Sequence, residues 1–225
     1  MPLIDSTLDT VGSEITDECI ECAIMLLFHG HERVSLPMQQ LFGKFVRFVL
    51  DDEETDFGFG YIPQIFSFIQ AFFQKDPFTF LAQGGPRPTY LAQTFSFIEA
   101  VFEMAQQMGA QSDLIVIQKF IISVLLTLKD RVNEVLPSIL KLQFVKAPVE
   151  DEDAVGGLKL FENMKIQVFG ACLEYNSPLT LQVLEHLGQV PTVLTLILTE
   201  SLNMKHHFEL KRVVLGLSSL LAFAA

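Results

Sequence analysis

From Glu14 to Ala225 the chain repeats one device: an apolar stretch of helical length, a short break, then another stretch. Within each stretch the large side chains recur at three- and four-residue spacing, which sets them on one side of a helix. Gly, Pro, Asn or a knot of acids marks the breaks. A helix with one apolar stripe cannot bury it alone. A row of such helices buries its stripes by stacking neighbour on neighbour, so the pattern predicts an all-α α-solenoid of stacked antiparallel helix pairs. Solenoids serve as binding surfaces more often than as catalysts.

The helices can be placed in order. Residues 1–13 are polar and read as a disordered N-terminus; residues 14–225 read as the repeat segment. Glu14 to His29 carries Ile15, Cys19, Cys22, Ala23, Leu26 and Leu27 on one expected face, and Gly30 stops it. Ser35 is placed to cap the next helix, with Pro37 in its first turn. That helix carries Leu41, Phe42, Phe45, Val46, Phe48 and Val49 and ends at the acidic knot from Asp51 to Glu54. Tyr61 to Phe73 follows, then a short turn opened by Asp76-Pro77 and a loop from Gly84 to Pro88. Tyr90 to Met108 is closed by Gly109, and Asp113 is placed to cap Leu114 to Leu128. Pro137 puts a kink or a break inside Arg131 to Val145. After the acidic loop Ala147 to Gly157 come Leu158 to Tyr175, Leu179 to Leu187, Pro191 to Leu202 and Lys205 to Leu221. Asn176-Ser177-Pro178 reads as a helix stop followed by the N-cap and first residue of the next helix. No stretch alternates as a strand would. One echo, Gln64 to Phe73 against Gln93 to Phe102, points to equivalent core-facing helices.

Charge narrows the partners. The chain holds 27 acids against 15 Lys and Arg, a formal net charge of −12. Residues 1–60 alone hold 12 acids and 3 bases. Such a surface repels phosphates and attracts basic proteins, which argues against direct nucleic-acid binding. Half of the residues are hydrophobic, and the uncharged run Phe57 to Gln74 is long enough to cross a bilayer. It holds Gly58, Gly60, Pro63, Ser67 and three glutamines and lacks basic flanks, so a buried helix is expected and membrane insertion is not. Three cysteines and an acidic N-terminus without a leader pattern suggest a reducing intracellular setting.

Chemistry is sparse. Cys19 and Cys22 have the spacing of half a zinc site, but no second pair accompanies them, and core cysteines are the plainer reading. His29 with His31, and His206 with His207, lack a third ligand at recognisable spacing. No phosphate-binding, dinucleotide, nucleophile-elbow or zincin motif occurs, so no enzyme and no cofactor are expected. Two acidic clusters remain: Asp51, Asp52, Glu53, Glu54 and Asp56, and Glu150, Asp151, Glu152 and Asp153. Solvated loops are one reading. Docking points for Lys- and Arg-rich partners are the other, with charge steering the encounter.

Four collinear stretches carry a family resemblance: Ser35 to Phe42; Asp56 to Tyr61 with Lys75-Asp76-Pro77; Leu173 to Leu181 around Tyr175-Asn176-Ser177-Pro178; and His207 to Leu221 with its Leu215-Gly216-Leu217. Together they resemble the C-terminal part of the importin-β (karyopherin-β) nuclear transport receptors, in the branch of importins seven and eight. Gln39 stands where that family usually has an aromatic residue. The resemblance implies a HEAT-repeat-like, armadillo-like scaffold of about four or five helix pairs in nucleocytoplasmic protein transport, found in cytoplasm, nucleus and nuclear pore. It implies basic cargo such as ribosomal proteins or histones. Family members are several times longer, and their Ran-binding amino-terminal arch has no counterpart here, so Ran-GTP and nucleoporins are implied only for a longer receptor. The rival expectation is a helical-repeat adaptor unrelated to transport.

Overall fold

The computed structural model describes residues 16–30, 33–50, 57–82, 88–146 and 155–224. Every regular element among them is helical, and no strand occurs. The chain divides into two compact units, Met1–Val101 and Phe102–Ala225.

The first unit holds α1 (Thr16–His29), α2 (Leu36–Leu50), a 3-10 turn (Phe57–Tyr61), α3 (Ile62–Lys75), the short α4 (Pro77–Leu81) and most of α5 (Tyr90–Gln107). Helix α3 is its centre, buried through Ile62, Ile65, Phe66, Phe68, Ile69, Ala71, Phe72 and Phe73. Aromatic contacts fix the helix directions. Phe42 meets Phe72 at 6.3 Å between ring centroids, Phe45 meets Phe68 at 4.7 Å, and Phe48 meets Tyr61 at 5.6 Å. Numbers rise along α2 as they fall along the facing segment, so α2 and α3 are antiparallel. Phe72 with Tyr90 and Phe66 with Phe97 show the same for α3 and α5. Helices α1 and α3 instead run parallel. Gln64 Nε2 donates to Asp17 Oδ1 (3.2 Å) near their starts, and Lys75 Nζ donates to the carbonyls of Phe28 (3.3 Å) and Gly30 (3.2 Å) near their ends.

These contacts revise two expectations. Helix α1 buries Thr16, Cys19, Ile20, Ala23 and Leu27, whereas Cys22 is exposed and Leu26 is 53% exposed. The partner face centres on Ala23 and Leu27, and Cys22 falls about 100° of helical rotation from Ala23. The echo does mark two core-facing helices with nearly the same burial register: Ile65, Phe66, Phe68, Ile69, Phe72 and Phe73 are buried, as are Thr94, Phe95, Phe97, Ile98, Val101 and Phe102. Yet α3 and α5 are antiparallel neighbours, so the echo is no repeat period.

The second unit holds α6 (Gln111–Leu128), 3-10 turns at Lys129–Arg131 and Asn133–Val135, α7 (Leu136–Leu142), α8 (Val155–His186), α9 (Val190–Ser201) and α10 (His207–Ala224). Helix α6 starts at Gln111 after Ala110, which leaves Asp113 in the first turn and not at the cap. Pro137 stands in the first turn of α7, where its missing N–H costs no helical bond, so it produces a break. Helix α8 is interrupted at Asn176 (φ −159°, ψ 85°), whose Oδ1 accepts the Leu179 amide at 3.1 Å. Asn176 is therefore the capping residue, one position before the expected Ser177, whose hydroxyl donates back to Leu173 O at 2.7 Å.

Contacts again give directions. Tyr175 and Asn176 reach Asn133, while Lys165 reaches Val145, so α7 and the first half of α8 are antiparallel. The starts of α6 and α8 meet at Gln111 and Gly157, and the Val132 amide just beyond the end of α6 donates to Tyr175 Oη (3.0 Å). Those two helices run parallel. Helix α10 crosses α8 where Gly216 presses on the backbone of Gly170, and Arg212 Nη1 pairs with Glu174 Oε2 at 2.6 Å.

Among the described residues, one helix is long and apolar enough to cross a membrane by length and composition: Gln111–Arg131, and half of its apolar window is buried inside the protein. Lys159–His186 and Val190–Ser201 pass the same test only as a pair bent by 118°. The run 57–74 is split between the 3-10 turn and α3.

Candidate functional site

The first unit carries an open groove of about 710 Å³, of the size of a ligand cleft. One wall is the outer face of α2. Leu36, Gln39, Gln40, Gly43, Lys44 and Arg47 recur at helical spacing opposite the buried set Met38, Leu41, Phe42, Phe45 and Val49. The other wall comes from Thr79 and Ala82 after α3 and from Pro88, Tyr90 and Gln93 at the start of α5.

The framework behind the groove is well tied. Asp76 joins the pieces: its Oδ1 accepts the Thr79 amide (3.0 Å), and its Oδ2 accepts the Thr79 hydroxyl (2.7 Å) and the Val34 amide (3.2 Å). Burial pushes the Asp76 carboxyl up, but the Thr79 and Val34 hydrogen bonds and the charge of Arg33 outweigh it and hold the group below its ordinary range. Gln39 Nε2 donates to Val34 O at 2.9 Å, and the Tyr90 hydroxyl donates to Gln39 Oε1 at 3.4 Å. Tyr90 also packs edge-on against Phe42 at 5.1 Å. On the opposite lip Gln93 Nε2 donates to Pro88 O at 2.9 Å.

Among the described lining residues there are two bases and no Asp or Glu. In a chain of net charge −12 that composition sets the groove apart. Sequence reasoning missed it because it weighed the chain's charge as a whole. The signal it could have used is a glycine, Gly43, in the middle of a helix beside Lys44 and Arg47.

Asp51, Asp52, Glu53, Glu54, Asp56, Glu150, Asp151, Glu152 and Asp153 all lie outside the described residues. Cys19 is buried, Cys22 exposed, and Cys172 fully buried, with its thiol pushed far above the ordinary range by burial. Among the described residues no group of three or more His, Cys, Asp or Glu is placed to hold a metal.

The second unit offers a different surface. On α10 the residues Leu210, Val214 and Leu221 form an exposed apolar line at helical spacing, and Leu198 of α9 and Leu202 just after it are exposed as well. The buried line of α10 lies beside it, through Glu209, Val213 and Gly216. Tyr175, in the hydrogen-bonded joint with Asn133, has its phenol raised by burial against the opposing bond from the Val132 amide.

Comparison with known proteins finds no matching family model, no matching curated protein and no matching solved structure.

Proposed function

We propose that this chain is a non-catalytic stretch of HEAT-like helical repeats that binds protein partners, as the cargo-facing scaffold of a nuclear import receptor does. The observation that carries the reading is a shared arrangement in the two units. In each, two parallel helices (α1 with α3, α6 with α8) are separated in sequence by one returning helix. The parallel helices begin about 45 residues apart in both, inside the roughly 40–47-residue period of HEAT and armadillo repeats. A repeat array needs that alternation, because each helix pair covers the apolar face of the pair before it. The exposed apolar line on α10 supports the same reading, being a surface on which a further helix pair would stack.

Basic cargo follows from charge. The acidic clusters Asp51 to Asp56 and Glu150 to Asp153 would meet Lys- and Arg-rich segments of ribosomal proteins or histones, with attraction weakening as salt rises. The test is fluorescence anisotropy with a labelled lysine-rich histone-tail peptide over a salt series, in wild type and in a variant with Asp51, Asp52, Glu53 and Glu54 amidated. Salt-sensitive binding lost in the variant supports the proposal; equal binding by both proteins, or none at low salt, refutes the cargo assignment. Release of the peptide by GTP-loaded Ran is expected of a full receptor that contains these repeats.

A second reading has its own support. The apolar line Leu210, Val214 and Leu221 suits an amphipathic helix of a partner, as in an adaptor unrelated to transport. Partner binding that ignores salt but is lost on Val214→Asp would favour it.

A further inference from the structure

We propose that the turn between α6 and α7, residues 129–135, is a strained latch. Side chains at the break in α8 hold it shut, and it opens while α6 and the first half of α8 stay packed. This inference does not rest on the partner-binding reading.

The strain is at Lys129. With φ 41° and ψ −140° it is the one non-glycine residue of positive φ among the described residues. Those angles lie far from the left-handed helical well, in a region that glycine enters freely and a residue with a Cβ does not. Such a conformation persists only where its surroundings over-determine it. Part of the hold is local: the Lys129 amide donates to Leu125 O at the end of α6. That bond ties Lys129 to the helix before it and leaves the turn after it to be held from elsewhere.

The catch is made by three side chains. Tyr175 Oη accepts the Val132 amide at 3.0 Å and donates to Asn133 Oδ1 at 2.7 Å. Asn176 Nδ2 donates to the same Asn133 oxygen at 3.3 Å. Asn133 Nδ2 donates back to Asp130 O at 3.4 Å, so the catch reaches into the strained turn. Tyr175 and Asn176 stand where α8 is interrupted, so one asparagine joins the two irregular stretches. Behind it Val132, Val135 and Leu136 are buried and close the corner from the apolar side.

The forces are unequal. The bonds from Asn133 to Tyr175, Asn176 and Asp130 lie at the surface, where water replaces each at small net cost. Strain in the closed corner opposes them. A segment held so weakly opens below the free energy that unfolds the helices beside it. Hinges are a few residues at the ends of elements that absorb a large backbone change, and Lys129 and Asn176 are so placed.

The test is amide hydrogen exchange on the full chain, followed residue by residue in low concentrations of urea. Val135 and Leu136 are the reporters, because their amides donate to Val132 O and Asn133 O inside the corner and not to Tyr175. Ile121, within α6, reports unfolding of the helix. In the wild type the reporters should exchange at least about tenfold faster than Ile121, and urea should accelerate Ile121 more than the reporters. Tyr175→Phe keeps the ring, removes the catch hydroxyl and should speed the reporters about tenfold. Lys129→Gly relieves the strain of the closed corner and should slow them about fivefold. Reporters that match Ile121 in rate and urea dependence would overturn the proposal. So would reporters that keep the wild-type rate in either variant, the result expected of simple fraying at the start of α7.

Discussion

The two units solve one problem by different means. In the first, helices are held apart by rings: Phe42, Phe45, Phe66, Phe68, Phe72, Phe80, Tyr90 and Phe97 mesh edge to face between antiparallel partners. In the second, α8 and α10 come close enough for backbone to touch backbone at Gly170 and Gly216. Buried polar side chains divide in the same way. The first unit buries Thr16, Asp76 and Thr94, and the second buries Gln118, Gln143, Lys165, Gln167, Ser177, Thr180 and Glu209. Lys165 is a case in point: its ammonium donates to Val145 O and Glu162 Oε1, both at 2.9 Å, and lies 4.7 Å from the centroid of the Phe161 ring. An aromatic core gains from apolar area and shape. A close-packed core with polar members depends more on every hydrogen bond being made.

The contrast can be broken at its strongest point. Phe72 touches Phe42, Phe80 and Tyr90, so Phe72→Ala opens a cavity at the meeting of three rings. A loss of about 3–5 kcal/mol is expected in urea unfolding. A cost under about 1 kcal/mol would mean that the rings repack and the aromatic mesh is not what holds the first unit.

The second unit should fail in the opposite sense, by addition. Gly216→Ala would drive a methyl into the Gly170 carbonyl, backbone against backbone, and should cost about 1–3 kcal/mol. Gly43→Ala, where a methyl meets open space, should instead stabilise by about 0.5–1 kcal/mol. Paired melts of the two variants separate close packing from simple helix propensity.

Asp76 sharpens the polar side of the comparison, because it is the one buried carboxylate among the described residues of the first unit. Its folded-state pKa lies below the ordinary value near 3.8. The stability it contributes is therefore present above that value and is lost as pH falls through the depressed folded value. Asp76→Ala should cost about 1–2 kcal/mol at neutral pH through the lost cap and the orphaned Val34 amide. That gap from wild type should narrow in strong acid. A gap that stays constant with pH would show that the charge of Asp76 is irrelevant.

A small effect is expected at Gln118. Its side chain is fully buried in α6, and neither amide atom has a partner among the described residues. Gln118→Met removes an unmet polar group at similar volume and should raise stability by about 1 kcal/mol. A drop would instead indicate a buried water holding the amide.

Much of this was readable in the chain. Helix positions followed from spacing, and Gly30, Asp76-Pro77 and Asn176 to Pro178 stand where helices end or begin. Errors cluster where two neighbours compete for one role. Asp113 lost the cap position because the backbone turned helical two residues earlier, at Gln111. Ser177 gave way to Asn176, whose longer side chain reaches the Leu179 amide while the serine hydroxyl bonds back to Leu173. An apolar stripe wider than its partner has no marked edge in sequence, so the spacing puts Cys22 and Leu26 inward where the structure leaves them exposed. The groove went unread because its walls come from residues 36–47 and 79–93, whose meeting depends on α2 and α5 both packing on α3.

Sequence by itself determined that the chain is helical and where its helices break, because side-chain periodicity and capping act within a few residues of the backbone they shape. It also determined the net negative charge, a sum that ignores position. Tertiary structure decided which face of each helix is covered, that α1 with α3 and α6 with α8 run parallel, and that a base-lined groove exists on an acidic protein. Those properties depend on contacts between residues far apart in the chain, where a local pattern permits several partners and only mutual packing selects one.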